Sequence, residues 1–551
     1  MGQGASSSPA AGKRGGWVLA LVLSLAAVAL LPAQQIEPPA SAAPQSADGE
    51  KSRITPEQAK QLFSLIDELL KFSSQETGLP IRGGVKHQLT SRDAVESYLK
   101  KKFAEDEDAK RLQSSEIVLK KFGLLDRDFD LQPFLLALLK EQIEAYYDSK
   151  TKSVYLLDWV DLDQQKPVLA HELTHALQDQ HASLEKWGEQ TPSSVSKSAA
   201  EDADHLSRDE MDTAREAVVE GQATAVMLDY ILKPMGKSLI QDPEVLDAFR
   251  DKMSGDSPVM ARAPLLLSES MLFPYRDGLS FIQDLWMDLG QAAAFTGAMD
   301  RPPSSSWEIM NPREYERHRP PAVPLLPNIH PLVDRLYKPY DIGQIGQLDL
   351  NIMATLFDGE QSARDLTPAW DGGLYWAGQL RSAKTAAEQA STKSIAFFYL
   401  SAWKNAASAQ HFAQIYANNL GRKYSGLKEL PADAANPPGD EEQIFTTSEG
   451  PVLIVTRGKL VFVAESFDLP LARQLAELLL DAQGSGELQR AQNGPHTGLS
   501  VGAGSPGLAS ETREALTGGL IRFFSHCGVM QAAVDAGIRG KNSASGSMIP
   551  K

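Results

Sequence analysis

Two histidines with a glutamate between them, in the run His171-Glu172-Leu173-Thr174-His175, make the densest patch of reactive side chains in this 551-residue chain. On a helix, positions i and i+4 lie one turn apart on one face, so both imidazoles can reach a single metal ion. Glu172 leaves the helix beside the first histidine and can take a proton from a water that the ion activates. The pattern is short, and a solvated surface helix could carry it by coincidence. Its surroundings argue for burial: Val168, Leu169 and Ala170 precede it, and Leu173, Ala176 and Leu177 continue an apolar face. Buried imidazoles and a buried carboxylate are costly unless they are paired or bound to a metal. The chemistry expected is hydrolysis at a zinc ion, Zn2+.

A catalytic zinc commonly has three protein ligands and one open position. Three side chains could supply the third ligand. His181 lies six residues beyond His175, the metzincin spacing HExxHxxGxxH. That pattern turns the chain at a glycine, where this sequence has Gln178, and a left-handed turn costs more there. The other two are Glu216 and Glu220, four apart on an apolar-rich helical stretch from Arg215 to Tyr230. Two buried like charges on one face require a cation nearby.

The run His171 to Asp179, HELTHALQD, resembles the metal helix of thermolysin-type peptidases. Glu220-Gly221-Gln222-Ala223 is similar to the EGxA ligand segment of the aminopeptidase branch of the gluzincins. The resemblance implies a zinc metallopeptidase with His171, His175 and Glu220 as ligands and Glu172 as general base. It also implies that Gly221 and Ala223 are small so that the two metal helices can approach. The thermolysin pattern, Glu followed by Asp four residues on, would instead make Glu216 the ligand and Glu220 its partner. With Glu220 as the ligand, Asp179 or Glu216 is expected to hold a histidine by its other ring nitrogen. Over about residues 80 to 480 the chain also resembles a set of exported bacterial zincin-like proteins. These share an FPY-x-x-G segment, here Phe273-Pro274-Tyr275-Arg276-Asp277-Gly278. Tyr275 reads as a core residue or as an oxyanion donor. The connector Ala182 to Asp212 is longer than thermolysin's, polar and charged, and is expected to form an inserted surface loop or flap.

Several elements must position these groups. Thr55-Pro56-Glu57-Gln58 opens a helix with a capping residue, a proline in the first turn and a glutamine reaching back. Leu62, Phe63, Ile66, Leu69 and Leu70 give that helix one apolar face, and helical patterns follow at 91–105, 109–122 and 131–143. Short β-prone runs at 144–148 and 153–158 flank Ser149 to Lys152 and predict a hairpin. Its second strand, just ahead of the metal helix, would pair with an extended peptide. Helices are expected at 243–253 and 268–299, then a proline-rich wrap over 302–331 in which His318 and His330 are structural or solvated. Further on, a strand over Ser394 to Leu400, a helix from Ala407 to Leu420, a hairpin turning at Gly458 and a helix over 469–481 suggest a distinct module.

The fold class expected is α+β: a zincin-like, mainly helical catalytic domain with a small mixed sheet, followed by a smaller α+β module. The boundaries are 1–42 for a signal peptide or signal anchor, 43–52 for a linker and 53–340 for the catalytic domain. The C-terminal module takes 341–481, and 482–551 is expected to be a mostly disordered tail.

A net charge of −17, without a basic stripe, argues against nucleic acid and leaves a peptide or protein as the expected partner. Lys13 and Arg14 precede an apolar run from Trp17 to Leu31, and Ala40-Ser41-Ala42 offers a cleavage site, so export to the periplasm or the exterior is expected. The run is short for a membrane span of about twenty residues, with anchoring through residues 17–31 as the alternative. Cys527 is the sole cysteine, so no internal disulfide can staple the chain. Two rival readings keep the zinc but not the peptidase: a zinc hydrolase of small amides or esters, and an envelope binding or scaffold protein with a structural or vestigial site.

Overall fold

The computed structural model describes residues 55–91, 93–95, 97, 107–142, 145–158, 162–188, 190, 198–242, 245–247, 249, 259–431 and 440–484. The export segment, the linker, nearly all of the tail and most of the helical patterns at 91–105 and 243–253 lie outside them.

The chain enters through the capping box read from its sequence. The Thr55 hydroxyl accepts from the Gln58 amide, and the Gln58 side chain accepts from the Thr55 amide at 2.8 Å. The expected single helix is broken at Leu65 into α1 (Pro56–Ser64) and α2 (Ile66–Thr77). Leu62, Ile66, Leu69 and Leu70 still share one core. Next come β1 (Lys86–Thr90), α3 (Glu107–Phe122) and α4 (Leu131–Gln142), then the hairpin of β2 (Ala145–Asp148) and β3 (Ser153–Leu157). The three strands form a mixed sheet in the order β1-β3-β2, with β1 parallel and β2 antiparallel to β3. This corrects one expectation. Because β1 pairs along its far side, β3 is interior to the sheet, and the edges left for pairing are those of β1 and β2.

The helix that carries His171 and His175, α5, runs from Leu162 to Ala182. The described residues of the connector after it differ from the surface loop expected. They form α6 (Leu184–Gly188) and α7 (Ala199–Arg208), and α7 packs on the strand β4 (Tyr337–Gln344). Lys186, Glu201 and Asp204 are exposed, but five of the connector's titratable groups point inward: Asp202, His205, Asp209, Glu210 and Asp212 are all buried. Their partners explain why. Asp202 faces His330 at 3.1 Å, Asp209 accepts from the Gln344 amide, and Glu210 accepts from the amide of Ser306. Buried carboxylates are tolerated only with such donors. His330 is thus structural, as expected.

Two long helices complete the centre, α8 (Met211–Leu232) and α9 (Leu265–Leu289). Between Ala217 and Asp229 every residue of α8 is buried, because α5 and α9 both pack on it. A helix enclosed in this way is apolar nearly all round, and a charge on it must have a purpose.

The remainder is built on a seven-stranded antiparallel sheet in the order β4-β5-β6-β10-β9-β8-β7. Its strands after β4 are β5 (Trp370–Leu380), β6 (Ile395–Trp403), β7 (Lys428–Leu430), β8 (Asp440–Thr447), β9 (Gly450–Arg457) and β10 (Leu460–Glu465). Helices α10 (Gln347–Asp358), α11 (Glu360–Leu366), α12 (Ala406–Lys423) and α13 (Leu469–Ala482) accompany them. The two-residue period of β6 sorts its side chains cleanly. Phe397 and Tyr399 join a core with Phe412 and Tyr416 of α12, while Phe398 and Leu400 join another with Leu475 and Leu479 of α13. The first of these cores also takes in Phe122 of α3, Val218 of α8 and Tyr275 of α9, so it runs across position 340. By their contacts the described residues form one compact unit. Among them, no helix is long and apolar enough to cross a membrane.

Candidate metal centre

The α5 and α8 helices lie side by side and bring three side chains to one point. His171 Nε2 and His175 Nε2 are 2.9 Å apart, and Glu220 Oε2 stands 3.2 Å from the first and 3.4 Å from the second. All three residues are buried. Ligands bound tetrahedrally at 2.0–2.1 Å stand about 3.3 Å from each other, so the spacing suits one small ion. The donor set is also what such an ion needs, two imidazole nitrogens and one carboxylate on buried residues. His171, His175 and Glu220 form a group able to hold a metal ion.

The alternatives for the third ligand are elsewhere. His181 faces Asp300 at 2.8 Å. The reason is that α5 does not turn at Gln178 but continues to Ala182 and breaks at Ser183, whose φ is 58°. Six further residues of intact helix carry His181 about two-thirds of a turn round from His175. Glu216 lies one turn of α8 before Glu220, half-buried, and does not belong to the ligand group.

Burial and mutual charge set the protonation of these groups against one another. Burial pulls the His175 imidazolium down, but Glu220 outweighs it and raises the ring to about 9. Burial likewise pushes the Glu220 carboxyl up, and the two histidines hold it well below the usual carboxylate range. For His171 burial dominates and its pKa is lowered. The Glu220 carboxylate thus favours the charged form of the His175 ring beside it. Glu172 is pushed up to about 7 by burial, against the opposing pull of His175 and of a hydrogen bond from the Tyr147 amide. That amide belongs to the edge strand β2, and the sheet does not use its outward donors, so one is spent on orienting Glu172.

The neighbours of the ligands differ in part from those expected. Asp179 does not hold a histidine; it accepts from Tyr147 Oη at 2.7 Å and Lys152 Nζ at 2.5 Å, tying α5 to the hairpin. His175 Nδ1 instead faces Gln178 Oε1 at 2.9 Å. Gln178 is fully buried and donates to the Val219 carbonyl and to Gln222 Oε1. Neither glutamine was singled out from the sequence. The available signal was position, since Gln178 is three residues from His175 and on its face. Tyr275 does reach the centre. Its ring stacks over His171 with centroids 6.4 Å apart, and its hydroxyl hydrogen-bonds Glu220. Burial and then the carboxylates of Glu220, Glu216 and Glu172 hold that hydroxyl far above 10, so it remains a donor.

Gly221 has a different purpose from the one the resemblance implied. It faces not α5 but α9: a β-carbon there would lie 2.4 Å from the Gly278 carbonyl, and one on Gly278 would lie 2.1 Å from the Ala217 carbonyl oxygen. The two backbones touch at these glycines, which lets α9 deliver Tyr275 to Glu220 from the side opposite the histidines' helix.

No family model, curated protein or solved structure matches this chain. The reading of the centre therefore rests on its own geometry and on the residues quoted above.

Proposed function

We propose that this chain is a zinc-dependent metallopeptidase of gluzincin type that cleaves peptide bonds. The observation that carries the reading is the convergence of His171 Nε2, His175 Nε2 and Glu220 Oε2 within 3.4 Å, with Glu172 buried alongside. Zn2+ held there would acidify a water and polarise the scissile carbonyl. Glu172 accepts the proton as the water oxygen attacks the carbonyl carbon, then passes it to the nitrogen as the C–N bond breaks. Tyr275 keeps Glu220 in place. The outward edge of β2 adjoins Glu172, and an extended peptide would lie there by main-chain pairing. Lys13, Arg14 and the apolar run after them support export, so the substrate is a peptide or protein met outside the cytoplasm.

The test is metal content together with chelator-sensitive cleavage of an unfolded protein. Glu172→Gln should retain the ion and lose activity by about 100- to 10,000-fold. Glu220→Ala should lose the ion, whereas His181→Ala should keep it. Full activity in Glu172→Gln, or an undiminished metal content in Glu220→Ala, would refute the assignment.

A further inference from the structure

Gln178 and Gln222 are both fully buried between the ligand-bearing helices, and their four amide atoms face groups whose hydrogen-bonding sense can be traced. The chain of constraint begins away from the metal centre. Gln222 Nε2 lies 2.8 Å from the Ala294 carbonyl oxygen and 2.9 Å from that of Phe295. Both belong to the π-helical turn Ala293–Gly297. Backbone carbonyls only accept, so the Gln222 amide must present its NH2 to them and its oxygen to Gln178. Gln178 Nε2 then finds two acceptors, Gln222 Oε1 at 2.9 Å and the Val219 carbonyl at 3.0 Å. Its oxygen is left for His175 Nδ1, 2.9 Å away, and that nitrogen must carry a proton. A flip of either amide would set oxygen against oxygen in a site closed to water, a cost that a buried network does not tolerate.

We infer that Gln178 and Gln222 form a relay that fixes His175 as the Nδ1–H tautomer, leaves its Nε2 lone pair for the ion, and ties α5 directly to α8, with Gln222 anchored on the turn at 293–297. They are positioning residues for the metal, and the inference rests on the metal-centre reading above. A ligating histidine whose other nitrogen loses its acceptor typically binds its metal 10- to 100-fold more weakly. Gln222 makes no hydrogen bond to His171, His175 or Glu220, so the path by which its loss reaches His175 runs through Gln178.

The experiment measures Zn2+ affinity of the full chain by competition with a chromophoric chelator, with the Co2+ visible spectrum as a report on geometry and thermal melting as a report on folding. Gln178→Leu should weaken Zn2+ binding about 10- to 100-fold. Gln222→Met, close in volume, should weaken it in the same direction and shift the Co2+ spectrum. Gln178→Glu separates positioning from packing. It keeps an acceptor for His175 Nδ1–H but sets oxygen against Val219 and Gln222, so affinity should recover relative to Gln178→Leu while the melting temperature falls. An affinity that simply follows the melting temperature across the three variants overturns the inference, as does wild-type affinity in Gln222→Met. A wild-type chain that binds neither Zn2+ nor Co2+ would sink the metal-centre reading itself, a separate failure.

Discussion

At the scale of single residues, a metal ion at the proposed centre would compete with a proton for the same histidine. Metal binding needs a neutral His175, and Glu220 raises that ring to about 9 in the ion-free chain. At pH 7 binding must therefore displace a proton, and Zn2+ affinity should fall as pH drops below about 9. Titration calorimetry in buffers of different ionisation enthalpy would detect the release, and affinity unchanged between pH 7 and 9 would contradict it. The ion-free chain has a matching signature. A histidine whose folded pKa lies above its unfolded value contributes stability below about 6.5 that is lost as pH rises towards 9. The melting temperature of the chelated protein should decline over that window, and that of the loaded protein should not.

At the scale of elements, the centre depends on three helices meeting at fixed distances. The glycine contact between α8 and α9 is the tightest of these constraints. Gly278→Ala would place a methyl group 2.1 Å from the Ala217 carbonyl oxygen, where only backbone could give way. Overpacking of this kind costs about 3 kcal/mol. It should also push Tyr275 away from Glu220, so the variant should bind metal more weakly as well as melt earlier. Thermal melts with and without chelator would show both effects, and a variant that melts like wild type would mean that the helices are not locked at this crossing.

For the molecule as a whole, buried charges join the N-terminal helices to the large sheet. Lys121 Nζ of α3 is fully buried and donates to Glu449 and Ser466 at 2.7 and 2.8 Å, and Glu449 also accepts from Arg127 and Thr392. Burial lowers the Lys121 ammonium to about 8, although Glu449 opposes the shift. Nearby, Lys423 and Glu465 form a second buried pair, at 2.5 Å. Breaking a buried pair on one side costs about 3–5 kcal/mol, because the partner's charge stays behind uncompensated. Glu449→Ala should therefore destabilise the protein by about that much in chemical denaturation while Zn2+ affinity stays at the wild-type value. A parallel loss of affinity would mean that the sheet helps to shape the metal centre.

What the sequence settled by itself were features whose information is local. Two histidines four apart on an apolar helix, a capping box at Thr55, a hairpin at Ser149 to Lys152 and the strand and helix periods after 394 each signal through neighbours within a turn or two. The third ligand, Glu220, was reached by a resemblance across two helices, and the folded chain brings it to the histidines while carrying His181 away. Long-range pairing decided the rest. The acidic connector reads as surface because its donors, in Ser306, His330 and Gln344, are supplied by distant segments. Strand β5 is diluted by Gly372, Gly373 and Gly378, so its period is weak until its neighbours pair with it. The glutamine relay and the glycine crossing are likewise invisible in one dimension, since a hydrogen bond or a backbone contact between separate helices leaves no periodic trace in either.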